Sequence, residues 1–243
     1  MRFSVFSYRY AQEILEHPRN RAAWDEIVAA VSNAPLFIHP GKSASNPRLD
    51  VVQQCMNTWF DRELSVEAGW LYHPLATTIA NSKLAADFRK QFPNVTVQAE
   101  VQFGNMSRWY SDIFKLQTAY SQELANIGLS IVPMGALARR IDSNIVSYER
   151  VVRELPSANL SITLPILVIG IEPDEKTQVV NVGDTLIPLG RMTRRNNAAR
   201  DSERNRYRIV EALRNGTDIK TVDEKSPTGL MAEPIVDVLD DEE

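Results

Sequence analysis

Residues 85–105 read AADFRKQFPNVTVQAEVQFGN, and a change of period inside them decides the fold. Val95 to Phe103 alternate in the manner of a half-buried strand, and the turn around Gln91-Phe92-Pro93-Asn94 joins it tightly to a second strand candidate at Leu84 to Phe88. A period of two puts Glu100 and Gln102 on one face and Val101 and Phe103 on the other. One face can be core while the other holds a site. A charged Glu between Ala99 and Val101 is expensive to half-bury without a cation or an Arg beside it. Asp87 lies upstream across the turn, so two carboxylates and a carboxamide oxygen can converge, the hard-oxygen set that magnesium prefers. The same residues are also compatible with surface ion pairs from Asp87 and Glu100 to Arg89, Lys90 or Arg108.

Downstream, Met106, Trp109, Tyr110, Ile113, Phe114, Gln117 and Tyr120 recur at three and four, which predicts a long helix over 105–125 ended by Gly128. Leu129 to Met134 (LSIVPM) is a strand candidate, and Leu164 to Pro173 (LPILVIGIEP) is a continuous apolar run that suits a buried central strand. ALARR (136–140) and IVSYERVVREL (145–155) are helix candidates. Upstream, Tyr10 to Glu16 and Arg21 to Ala30 have helical spacing, a short apolar Leu36-Phe37-Ile38 follows, and Leu49 to Leu64 returns to helical spacing. The pattern is mixed α/β. After Gly190 the apolar periodicity weakens, and the six acids of MAEPIVDVLDDEE (231–243) suggest a disordered tail. The expected organisation is one domain over 1–190, an Arg-rich extension over 191–230 and an acidic tail over 231–243.

The net charge of −4 does not announce a nucleic-acid binder, so any DNA contact must come from local clustering. Charge is uneven: residues 191–220 carry nine basic and four acidic side chains, residues 221–243 one and eight. Seven arginines between Arg191 and Arg208 suit either a phosphate-binding arm that orders on DNA or a solvated helix face. No apolar run approaches the roughly 18 residues of a membrane span, and polar residues stand where a signal peptide would carry its apolar stretch, which suggests a cytoplasmic protein. The single cysteine, Cys55, supplies no zinc cluster and reads as a buried thiol. Gly41-Lys42-Ser43 lacks the upstream glycine of a phosphate-binding loop, and His17, His39 and His73 each precede proline, which disfavours a shared ligand face.

The segment AADFRKQFPNVTVQAEVQFGN, followed in order by WYSDIF, LSIVPM, SYE and LPILVIGIEP, resembles the catalytic half of the BglII/BstYI family of type II restriction endonucleases. The resemblance covers roughly residues 84–173, and it implies a restriction-endonuclease-like central mixed β-sheet flanked by helices. That family belongs to the PD-(D/E)xK nucleases but has Gln where most members have Lys, a departure shared here at Gln102. By resemblance, Asp87 and Glu100 bind a Mg2+ ion for which Mn2+ can substitute, the carbonyl of Val101 completes its shell, and Gln102 orients the attacking water. The implied reaction is hydrolysis of both strands of duplex DNA at a short palindrome, such as a GATC-centred hexamer, leaving 5′-phosphate ends.

The same resemblance makes Asn105 a base-reading candidate and matches Ser143 and Asn144 to a second recognition loop, with Lys115 a further DNA-binding candidate. Helix capping competes with base reading at the Asn and Ser positions. A twofold homodimer, meeting through the helix from Asn105 and the helix from Ile145, would match a palindrome, and a cognate DNA methyltransferase would protect the host. A non-catalytic DNA-binding protein and a repair or structure-specific nuclease are the alternatives. Cleavage into discrete fragments distinguishes restriction from both.

Overall fold

The computed structural model describes residues 1–194 and 199–235. A six-stranded sheet in the order β1-β7-β6-β5-β4-β3 organises the chain. Its centre is parallel: β5 (Thr96–Val101), β6 (Ile127–Pro133) and β7 (Ile166–Glu172) run together, with Glu100 opposite Ser130 and Val101 opposite Ile131. On one edge β1 (Arg2–Tyr8) pairs antiparallel with β7 along its whole length. On the other, β4 (Phe88–Gln91) forms a hairpin with β5, and the two-residue β3 (Leu71–Tyr72) pairs antiparallel with β4. A small parallel pair, β2 (Leu36–Ile38) with β8 (Val179–Asn181), lies apart from the main sheet. This is a mixed α/β fold with helices flanking a mixed sheet.

The period of two in the central strands divides the core into layers. Val97, Ala99 and Val101 of β5, Leu129 and Ile131 of β6, and Leu167, Ile169 and Ile171 of β7 face one way. They pack with α1 (Ala11–Glu16), α2 (Arg21–Ser32), α3 (Gln53–Phe60), α5 (Gly135–Ile141) and α7 (Ala199–Arg214). The alternate residues Val132, Ile166 and Val168 face α4 (Met106–Ser121) and α6 (Tyr148–Glu154), against Trp109, Ile113, Leu116 and Val151. Glu100 shares that second face, which is why it meets α4. Among the described residues no helix is long and apolar enough to cross a membrane.

The second strand of the tight pair, the long helix and the buried strand at 166–172 stand where the sequence places them. Other elements differ. The hairpin's first strand begins at Phe88, so Asp87 precedes the strand and is not inside it. Gly128 lies within β6 and does not end α4, which stops at Ser121; a Cβ at 128 would come within 2.9 Å of Leu164 and 3.1 Å of Leu116, so packing explains this glycine. The helix expected over 49–64 is α3 continued by a π-helical turn, Asp61–Glu67. The weakly periodic C-terminal segment contains the sixteen-residue α7, whose Tyr207, Ile209 and Val210 are fully buried in the same core as the sheet. In the expected tail, the Ala232 amide donates to Tyr207 Oη of α7, Pro234 bridges to Tyr72 of β3 and the Ile235 amide donates to the Tyr72 carbonyl; residues 236–243 lie outside the described residues.

Candidate active site

The β4–β5 hairpin brings the two expected carboxylates together at the carboxyl end of β5. Asp87 Oδ2 accepts a hydrogen bond from the Val101 amide at 2.8 Å, which ties the start of β4 to the end of β5. Glu100 is fully buried; its Oε2 accepts from Lys115 Nζ at 2.6 Å, whereas Oε1 is buried without a hydrogen-bond partner among the described residues. Burial first, and the charge of Asp87 second, push the Glu100 carboxyl well above the usual range, with Lys115 acting in the opposite sense. Burial likewise raises Asp87, opposed by Lys115 and by the Val101 amide. Two acids this close and this buried need more positive charge than one lysine supplies.

Helix α4 forms one wall. Lys115 bridges Glu100 and Asp112, with Nζ 2.9 Å from Asp112 Oδ1, and the acids around it raise its pKa against the effect of burial, so it stays charged. Asp112 is 5% exposed and also accepts from Gln102 Nε2 at 2.6 Å. Gln102 Oε1 accepts from the Gly104 amide at 2.7 Å, and a Cβ at 104 would sit 2.5 Å from that oxygen. The third expected catalytic residue is therefore braced between Gly104 and Asp112, beside the acids but turned to α4. Lys115, expected to reach DNA, is instead packed among the carboxylates. Asp112 was not singled out in the sequence, although an acid in the stripe of Trp109, Ile113 and Leu116 was the available signal.

The other wall is built by α3, its π-helical continuation and α7. An open cleft of about 200 Å³ is lined by Gln54, Asn57, Asp61, Tyr72, His73, Asp87, Val101 and Arg206. Asp61 stands where α3 turns π-helical, a distortion often found at functional sites. Its carboxyl is pushed well above the usual range by burial and then by Asp87, against the pull of Arg206. His73 has left-handed backbone, φ 50°, stacks on Tyr72 with ring centroids 3.9 Å apart, and donates its amide to the Asp87 carbonyl. Burial, with Lys115 second, lowers its pKa to about 4, so its ring is neutral at pH 7.

The donor set suits a hard divalent cation. Among the described residues Glu100 Oε1 has no hydrogen-bond partner, Asp87 is close enough to act on its charge, and Val101 lines the cleft with Asp87. Among the described residues no three His, Cys, Asp or Glu side chains already converge in ligand geometry, so remaining ligands would be a backbone carbonyl, water or substrate oxygens.

The expected base readers lie at one edge. Asn105 caps α4, its side chain accepting from the Arg108 amide at 3.0 Å, and it is bridged to Ile145; Ser143 and Asn144 are exposed just before that bridge. The capping role is thus real at Asn105, and its exposure leaves the amide nitrogen accessible. The C-terminal arginines have diverse partners: Arg204 meets Asp201, Arg206 meets Thr58 and Met192, Arg208 meets Ser226 and Asn205, and Arg191 meets Glu224. Arg195 lies outside the described residues.

Residues 3–171 match the family described as restriction endonuclease BglII/BglIII. No curated protein matches the chain. Among solved structures, the crystal structure of restriction endonuclease BglII complexed with a DNA 16-mer superimposes with a TM-score of 0.60 at 20% identity, covering 73% of this chain and 79% of that one. That of free BglII gives 0.49 at 19% identity, covering 73% and 82%. At such identities the likeness to the DNA complex is one of fold, and it agrees with the family match, which spans well over half of the 243 residues. The chain belongs to the BglII/BglIII family of restriction endonucleases and is a type II site-specific deoxyribonuclease.

Proposed function

We propose that the chain hydrolyses both strands of duplex DNA at a short palindrome, using a Mg2+ ion held by Asp87, Glu100 and the carbonyl of Val101. The observation that carries the reading is the buried, unpartnered Glu100 Oε1 next to Asp87 at the end of β5. When bound, the ion supplies charge neutralisation at the phosphate and acidifies coordinated water. Asp87 and Glu100 fix its place, because one is tied to the Val101 amide and the other to Lys115. Lys115 keeps a positive charge beside the acids and so holds them together before substrate arrives. Gln102 orients the attacking water once its Nε2 exchanges Asp112 for that water. A carboxamide cannot take the proton at neutral pH, so the proton leaves to solvent or phosphate.

Asn105, Ser143 and Asn144, gathered at one exposed edge by the bridge from Asn105 to Ile145, are the proposed base readers, with Lys115 inside the acid cluster instead of in a groove. The family resemblance supports a GATC-centred six-base site, cut to leave 5′-phosphate ends, by a cytoplasmic twofold homodimer partnered with a cognate methyltransferase. Mn2+ is expected to substitute for Mg2+.

The test is digestion of unmethylated phage DNA by purified protein with Mg2+, beside Glu100→Ala and an EDTA control, with the fragment ends sequenced. Discrete fragments sharing one palindrome, absent from both controls, are expected. Cleavage that persists in Glu100→Ala would remove this carboxylate from the mechanism, and random ends would remove sequence specificity.

A further inference from the structure

We infer that Arg206 of α7, which lies beyond the residues matching the family, completes the active-site cleft and binds a phosphodiester of the strand being cut. This rests on the reading of Asp87 and Glu100 as the cleavage centre. Arg206 lines the same cleft as Asp87 and Val101, although it is more than a hundred residues away in sequence. Packing of α7 on α3 through buried Tyr207 and Val210 puts it there.

The guanidinium is fixed on two sides. Its Nε donates to Thr58 Oγ1 at 2.8 Å, and its Nη1 donates to the Met192 carbonyl at 2.8 Å. Thr58 is itself fully buried and its hydroxyl donates a hydrogen bond to the Gln54 carbonyl at 3.0 Å, so the brace on Nε has little freedom. Nη2 has no acceptor among the described residues, and Arg206 forms no ion pair within them. Arginines Arg62, Arg140 and Arg214 each pair with a carboxylate, whereas Arg206 lines the cleft with no carboxylate at ion-pair distance among the described residues, only the more distant charges of Asp61 and Glu203.

An arginine oriented by its supports and left with a free N–H edge in an open cleft is suited to a planar, multiply accepting anion, and phosphate matches its fork. The anion that must enter this cleft is the DNA backbone, because Asp87 lies on the cleft wall. A carboxylate ligand would meet Asp61 and Asp87 without the cation that makes phosphate acceptable there. Asp61 lines the same cleft, and its carboxyl, which has no side-chain hydrogen bond among the described residues, feels the charge of Arg206. It keeps the guanidinium facing inward in the absence of DNA. The role assigned to Arg206 is positioning of substrate, and the C-terminal segment contributes this one side chain to the site rather than a flexible arm.

The test compares Arg206→Ala, Arg206→Gln and Arg206→Lys with the wild type and Glu100→Ala, on a duplex carrying the recognised site. Single-turnover cleavage in Mg2+ and duplex affinity in EDTA across a salt series are read for each, with thermal unfolding as the check on folding. For Arg206→Gln, which can still donate toward Thr58 or Met192, we expect at least a tenfold slower cleavage and a salt slope shallower by about one unit, the signature of one lost phosphate contact. Arg206→Lys should recover the salt slope but only part of the rate. A folded Arg206→Gln that cleaves at the wild-type rate with an unchanged slope would overturn the assignment. So would a loss of rate in Arg206→Ala that merely tracks a loss of folding while Arg206→Gln and Arg206→Lys behave as wild type. Full activity in Glu100→Ala would instead overturn the underlying reading of the centre.

Discussion

At Glu100, burial and the neighbouring Asp87 both disfavour the charge that function requires, and Lys115 offsets only part of that cost. The consequence is a prediction about stability. In EDTA, Glu100→Gln is expected to unfold at a temperature equal to or above that of the wild type, because it removes a buried charge and a like-charge contact, while cleavage is lost. The pH dependence follows in sign. An acid whose folded pKa is raised binds more protons folded than unfolded, so its contribution to stability falls as pH rises from about 5 to 8. His73 acts oppositely: its folded pKa of about 4 lies below the ordinary 6.5, so its contribution is lost as pH falls below the ordinary value. Because His73 is present in both proteins, the difference between wild type and Glu100→Gln isolates the glutamate. Denaturant unfolding in EDTA at pH 5 and pH 8 should show Glu100→Gln gaining on the wild type as pH rises. An unchanged difference between the two would mean that Glu100 is not strained. Cys55 is the contrasting buried group, its thiol pushed up to about 12 by burial.

At the scale of elements, the parts legible in the sequence are those whose periodicity carries their environment. The β4–β5 hairpin, α4 and β7 are of this kind, and the hairpin alone was enough to pair Asp87 with Glu100. Strand β1 carries no clear signal because Arg2, Ser4 and Ser7 break up its apolar residues, although all seven residues pair with β7. Helix α7 was passed over because arginines and acids outnumber its apolar residues, yet Tyr207, Ile209 and Val210 form a fully buried set. A helix so polar folds by docking and not by propensity. Ile209→Ala should therefore cost about 2–5 kcal/mol in global stability, as for other fully buried apolar truncations, measured by denaturant unfolding. A cost below about 0.5 kcal/mol, the range of exposed substitutions, would show α7 to be a loosely held appendage. Asp61 and Arg206 are illegible for a related reason. Each belongs to the site through packing between elements distant in sequence, and no local spacing relates them to Glu100.

At the scale of the whole molecule, the proposed cleavage of both strands at a palindrome would need the site twice, related by a twofold axis, and one chain holds it once. For the proposed homodimer the candidate surface is the outer side of α4, where Tyr110 is 48% and Phe114 61% exposed, whereas Trp109 of the same helix is buried and hydrogen bonded to Ser130. Tyr110 also donates to Glu154 of α6, which Arg150 holds, so α4 and α6 present one continuous face. Two aromatic side chains fall short of the roughly 800 Å² per partner of a stable interface, so the contact must extend along α6. Placing a charge at its apolar centre is the direct test. Phe114→Glu should convert a dimer to a monomer in sedimentation without lowering the unfolding temperature by more than a few degrees, because Phe114 is largely exposed. On supercoiled plasmid the wild type should proceed to linear product with little nicked intermediate, since two centres act in one complex. The monomeric variant, with Asp87 and Glu100 untouched, should accumulate nicked circles instead. Persistence of a dimer in Phe114→Glu would move the interface off α4, and a monomeric wild type that still linearises plasmid would separate two-strand cleavage from symmetry altogether.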